Sequence, residues 1–170
     1  MTIPFREQQD NTVARLAPEP GEEPELYVDL KKAYLREKAL SQQLKALSSA
    51  TGAGWEHPHM EQVSNLGTED ESHARILSEV LTDMDTFTPE RPETSHSLLQ
   101  KGTSIHTALL LSMEVKKDLE IGYIRAASLA ALEGRESLAH RLENIASEEA
   151  RGRRDLLQVL TRCPVLQSED

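Results

Sequence analysis

The sequence predicts an all-α fold, a four-helix bundle in which two helical hairpins are joined by a crossover segment. Apolar residues recur at helical spacing through four long segments, and glycines and prolines fall between those segments. Only 4% of residues are aromatic, while Leu, Ala, Glu and Lys abound. Strands draw on aromatic and β-branched residues, whereas helices draw on the types that dominate here.

Residues 1–23 carry Pro18, Pro20 and a Gly21-Glu22-Glu23 cluster without sustained periodicity, and read as a flexible tail. The first helix should begin at Pro24, a good first-turn residue, and run to Ser49, where Gly52 and Gly54 end it. Its stripe is Leu30, Ala33, Tyr34, Leu40, Leu44 and Leu47, with Glu37 in the middle. The second helix should run from Pro58 to Asp85 on Val63, Leu66, Leu77, Val80, Leu81 and Met84. Asp70 and His73 fall on that same side. Residues 86–103 hold Pro89, Pro92 and Gly102 and could add a short helix at Ser95–Lys101.

The third helix should open with Thr103 or Ser104 as N-cap and reach Leu132. Its neighbours Leu110, Leu111 and Ile121 put Glu114 on an apolar side. Gly134 breaks the chain, and the fourth helix should run from Arg135 to Thr161 on Leu138, Leu142, Ile145, Leu156 and Leu160, with Glu149 inside the stripe. The bundle thus spans residues 24–161, and 162–170 read as a C-terminal tail. The tiny link between the last two helices demands antiparallel neighbours, and the first two can pair the same way. The longer link between the second and third permits either a crossover along the bundle or a simple turn.

With 170 residues the chain has room for one cored domain. Its net charge of −10 argues against nucleic acid and against anionic lipid. No apolar run reaches ~18 residues, so no membrane span is expected. The first residues show no charged-then-apolar leader pattern, and a cytoplasmic location is expected. Cys163 is the single cysteine, which excludes a thiolate-built metal site within one chain. Any metal must be held by histidine and carboxylates.

The two halves share their wording. Leu66-Gly-Thr-Glu-Asp70-Glu-Ser-His73 parallels Ile145-Ala-Ser-Glu-Glu149-Ala-Arg-Gly152, and Glu37 precedes Asp70 by nearly the interval at which Glu114 precedes Glu149. Burying an unpaired carboxylate costs several kcal/mol, and several in one bundle repel one another. A metal ion removes that difficulty by bonding the oxygens. Iron and manganese favour carboxylate and imidazole ligands, and residues three apart share a helix face, so Asp70-x-x-His73 can deliver both.

The strings Leu66–Leu77 and Ile145–Leu156, with Met113-Glu114…Tyr123 between them, resemble the ferritin-like superfamily and, within it, the rubrerythrin-type bundles. That resemblance spans residues 26–160. It implies a metal site at Glu37, Asp70, His73, Glu114 and Glu149, with mono- or dinuclear non-haem iron, or manganese, as cofactor. It also implies reaction with dioxygen or peroxide, an oxidoreductase or peroxidase role in oxidative stress or iron handling, and a homodimer. Tyr34 or Tyr123 could supply a proton or electron. The chain departs from the family at three positions. Asp70 is shorter than the usual Glu, Gly152 stands where a second His belongs, and Lys117 stands where another carboxylate belongs. Lys117, Arg151 or Arg153 could neutralise the carboxylates instead. The second reading is therefore a metal-free bundle that serves a structural role or binds a protein partner through its tails or an exposed helix face. The histidines of Trp55-Glu-His57-Pro-His59 read as solvent-facing, His106 and His140 as distant from the centre, and Cys163 as an inert thiol.

Overall fold

The computed structural model describes residues 23–49, 57–84 and 104–162. They form four helices: α1 (Glu25–Ser49), α2 (His57–Asp83), α3 (Ile105–Leu132) and α4 (Glu136–Arg162). The expected short helix at 95–101, the two tails beyond the helices, Trp55 and Cys163 lie outside the described residues.

Local chemistry sets the ends of α3. The Ser104 hydroxyl accepts the Thr107 N–H at 3.1 Å, filling one of the donors a helix start leaves open. At the other end Gly134 adopts φ 73°, where a side chain would clash with the backbone. The amides of Gly134 and Arg135 then donate back to Ala131 and Ala130, each at 2.9 Å, in the paired pattern that glycine closes. The reversal leads directly into α4.

Cross-links between helices give the topology. Gln43 on α1 meets Ala108 and Ser112 near the start of α3, while Asp29 meets Arg125 near its end, so α1 and α3 are antiparallel. Ser41 of α1 stands against Gly67 of α2 and Glu37 against His73, which makes that pair antiparallel as well. Glu69 meets Arg151, and Val80 shares a groove with Arg135 and Leu138, so α2 and α4 oppose each other too. α2 and α3 therefore run parallel. The segment joining them connects opposite ends of the bundle, the crossover rather than the simple turn.

The core is a column of leucines and alanines drawn from all four stripes: Leu30, Leu40 and Leu44 of α1, Leu77 and Leu81 of α2, Leu109 and Leu119 of α3, and Leu142 and Leu156 of α4 are all essentially inaccessible to solvent. α1 and α2 approach closely at Gly67, where an added Cβ would stand 3.1 Å from the Ser41 carbonyl oxygen. Backbone cannot retreat as a side chain can, so a larger residue there would push the two helices apart by a few tenths of an ångström. Among the polar ties between the hairpins is the buried Gln43 amide, which donates to the Ala108 carbonyl at 3.1 Å and to the Ser112 hydroxyl at 2.8 Å.

α3 is rotated from the phase its leucines suggest. Leu110, Leu111 and Ile121 are 43%, 43% and 58% exposed. The face turned inward carries Ala108, Leu109, Ser112, Lys116, Leu119, Tyr123, Ala126 and Ala130 instead. This rotation decides which α3 side chain reaches the centre.

Candidate metal centre

Each helix sends a polar side chain into the middle of the core. α1 contributes Glu37, α2 contributes Asp70 and His73, α3 contributes Lys116 and α4 contributes Glu149, none more than 2% exposed. One ligand-type atom from each of Glu37, Asp70, His73 and Glu149 lies within 4.8 Å of the others, spacing at which they could hold one ion. Asp70 and His73 arrive together because residues three apart on α2 share a face.

Glu114 does not join them. It sits on the outer side of α3, its side chain 72% exposed, 3.5 Å from Lys117. Nor does Lys117 neutralise the centre, as the sequence suggested it could. Its neighbour Lys116 does so. The Lys116 ammonium donates to Asp70 Oδ1 at 2.7 Å and to Glu149 Oε2 and Oε1 at 3.1 and 3.3 Å. Arg151 pairs with Glu69 and Arg153 with Glu120, both away from the inner carboxylates. His140 is exposed beside Glu143, and His106 is half-buried at the start of α3.

Gly152 makes room for the lysine. A Cβ at this position would stand 3.1 Å from Lys116 Cε and 3.2 Å from its Nζ. The ammonium, held by two carboxylates, has nowhere to withdraw. The glycine of α4 and the buried lysine of α3 are thus fitted to each other.

His73 is held from outside. Its Nε2 lies 2.8 Å from Glu148 Oε2, and since a carboxylate accepts, the ring donates Nε2–H outward. Nδ1 faces the cluster, 3.1 Å from Glu149 Oε1 and 3.4 Å from Glu37 Oε1, and pairs with these carboxylates when the ring is protonated. Metal-binding histidines are wired this way, one nitrogen fixed by a carboxylate and the other turned to the ion. Tyr123 fixes Glu37 in the same manner, donating its hydroxyl to Oε1 at 2.6 Å. Glu37 Oε2 and Asp70 Oδ2 are buried without a hydrogen-bond partner. Buried polar atoms are nearly always satisfied, and these two oxygens, with His73 Nδ1 once its proton is gone, are able to take a cation.

The electrostatics follow from crowding. Burial pushes Glu37 above the usual carboxylate range and lifts Asp70 to about 8, even with Lys116 beside it. Burial alone would lower His73, but Glu149 and Glu37 more than offset it and hold the imidazolium to about 11. Burial likewise raises the Tyr123 phenol, and the Glu37 charge adds to it. The cluster without metal therefore keeps protons that an ion would displace.

Replacing Tyr123 by Phe should cost about 1.5–3 kcal/mol, the range for a hydrogen bond to a charged group, because Glu37 Oε1 loses its donor inside the core. Urea unfolding of Tyr123→Phe beside the parent measures this. A change under 0.5 kcal/mol, the scale of an uninvolved surface site, would show that the contact carries nothing.

Comparison of the chain with family models, with curated proteins and with solved structures returned no match.

Proposed function

We propose that this chain is a non-haem metal protein of ferritin-like, rubrerythrin-type construction whose Glu37, Asp70, His73 and Glu149 hold iron or manganese. The observation that carries the reading is the convergence of three buried carboxylates and one imidazole, with Glu37 Oε2 and Asp70 Oδ2 without a hydrogen-bond partner. Three oxygen ligands and one nitrogen suit the hard-to-borderline first-row ions. An iron or manganese ion in this position would supply redox chemistry toward dioxygen or peroxide, in the oxidative-stress or iron-handling role that the resemblance implies.

The protein's own groups do the rest. Glu148 orients the His73 ring, Tyr123 holds Glu37 through Oε1, and the leucine core keeps bulk water away. Lys116 holds a positive charge against Asp70 and Glu149 throughout. A homodimer, the assembly the resemblance implies, would have the exposed side of α3 with Leu110, Leu111, Ile121 and Ile124 to close on.

Protein purified without chelator should carry iron or manganese near stoichiometry by elemental analysis, and Asp70→Ala or His73→Ala should each lose it. Peroxide-dependent absorbance changes then separate turnover from passive binding.

One observation favours the alternative, a metal-free bundle with a structural or partner-binding role. The Lys116 ammonium already satisfies three carboxylate oxygens. On that reading, elemental analysis finds no metal and folding is the same in EDTA.

A further inference from the structure

We infer that the centre has two cation positions, that the Lys116 ammonium permanently fills one of them, and that one exchangeable ion is all the other admits. The inference rests on the metal-centre reading and adds what sets the number of ions.

Oxygens of the same carboxylates divide between two directions. Asp70 Oδ1 and both Glu149 oxygens turn to Lys116 Nζ, at 2.7 to 3.3 Å. Asp70 Oδ2, Glu37 Oε2 and His73 Nδ1 do not. The ammonium thus occupies one cation position, and because one ligand atom from each of Glu37, Asp70, His73 and Glu149 lies within 4.8 Å of the others, a second position is available beside it.

Space leads to the same division. A side chain at 152 would begin 3.1 Å from Lys116 Cε and 3.2 Å from Nζ, so glycine is what lets the ammonium reach Asp70 and Glu149. Lys116 itself is inaccessible to solvent, so it cannot swing out to vacate the position without opening the bundle.

Charge sets the limit. Glu37, Asp70 and Glu149 supply three negative charges at most, and Lys116 supplies one positive. One divalent ion completes neutrality when His73 is a neutral ligand. A second divalent ion would leave a net positive charge in a dry core, which nothing there compensates. The lysine also explains how the bundle can stay folded when stripped of metal, because two of the three acids keep a counter-ion that no chelator can remove.

The test is to titrate the full chain, stripped with EDTA and dialysed, with manganese(II) or zinc(II) by calorimetry, and to count bound ions by elemental analysis. One ion per wild-type chain is expected, with an isolated-ion manganese resonance spectrum. Lys116→Glu, which exchanges the tethered cation for a ligand, should bind two, and the spectrum should broaden from coupling. Lys116→Met, which fills the volume without charge, should bind its first ion at least tenfold more tightly, since the repelling ammonium is gone. Circular dichroism of each variant checks that it is folded, and the wild-type count needs no variant. Two ions in the wild type, or no tightening in folded Lys116→Met, overturns the inference and leaves the metal centre standing. No ion in the wild type defeats the metal centre itself.

Discussion

Lys116→Met should destabilise the metal-free protein by about 3–5 kcal/mol, the cost of removing one partner from a buried ion pair. Asp70 would then lose the ammonium, and Glu149 would keep the His73 imidazolium as its cationic partner, in a core that excludes water. Met fills nearly the same volume as Lys, so a cavity contributes little and the loss reports charge. For a chain of this size the melting temperature should fall by roughly 10 °C. Because burial lifts Asp70 to about 8 even with Lys116 beside it, losing the ammonium raises that carboxyl further, and its protonation softens the loss. Saturating divalent ion should restore part of the loss, about 2.7 kcal/mol at a hundredfold excess over the dissociation constant. Calorimetric scans at pH 8.5, with EDTA and with manganese(II), measure both quantities. If the variant melts with the parent in EDTA, the ammonium does not balance these acids.

Metal-free and metal-loaded protein should respond to pH in opposite directions. His73 binds its proton to about 11 in the folded chain against 6.5 ordinarily. Its contribution is therefore complete below pH 6.5 and is lost as pH climbs toward 11. Asp70 is raised by burial from 3.8 to about 8, so the folded chain holds a proton that the unfolded chain has released, and stability declines from pH 3.8 to 8. Both losses overlap between pH 6.5 and 8. Each extra proton held by the native state lowers stability by about 1.4 kcal/mol per pH unit, so the overlap amounts to a few kcal/mol. A bound ion reverses this, because it requires His73 Nδ1 and the carboxylates without protons and binds more tightly as pH rises. Melts at pH 6, 7, 8 and 9 in EDTA and in manganese(II) should show a gap that widens with pH. A constant gap would mean that the ion sits elsewhere.

Much of this arrangement was legible in the sequence, and its one misreading has a physical cause. Glu37, Asp70, His73 and Glu149 each interrupt a single well-defined apolar stripe, so phase alone puts them inside. The helix ends were signalled by Ser104 and Gly134, which act through specific backbone geometry. α3 offered two apolar sides. Its larger residues Leu110, Leu111 and Ile121 line the exposed one, while the buried side is built of small residues such as Ala108, Ser112, Ala126 and Ala130. Counting hydrophobicity chose the wrong side and brought Glu114 with it. Spacing could have chosen correctly. Leu109, Ser112, Lys116, Leu119, Tyr123, Ala126 and Ala130 recur every three or four residues, and a lysine in the middle of that series, opposite a glycine in the partner stripe, is the mark of a buried counter-ion.

The amide of Gln43 has a consequence that reaches far along the bundle. Leucine against alanine packs almost as well one turn up or down, so an apolar seam lets two helices slide by ~5.4 Å at small penalty. The amide forbids that slippage. Only in the present alignment does it meet both Ala108 and Ser112, and any other strands its N–H groups in hydrocarbon at about 1–3 kcal/mol. The same alignment brings the Tyr123 hydroxyl level with Glu37, more than a turn and a half away along α1. Gln43 thus acts as a keyway, locking the hairpins at the one setting in which the acidic centre can assemble.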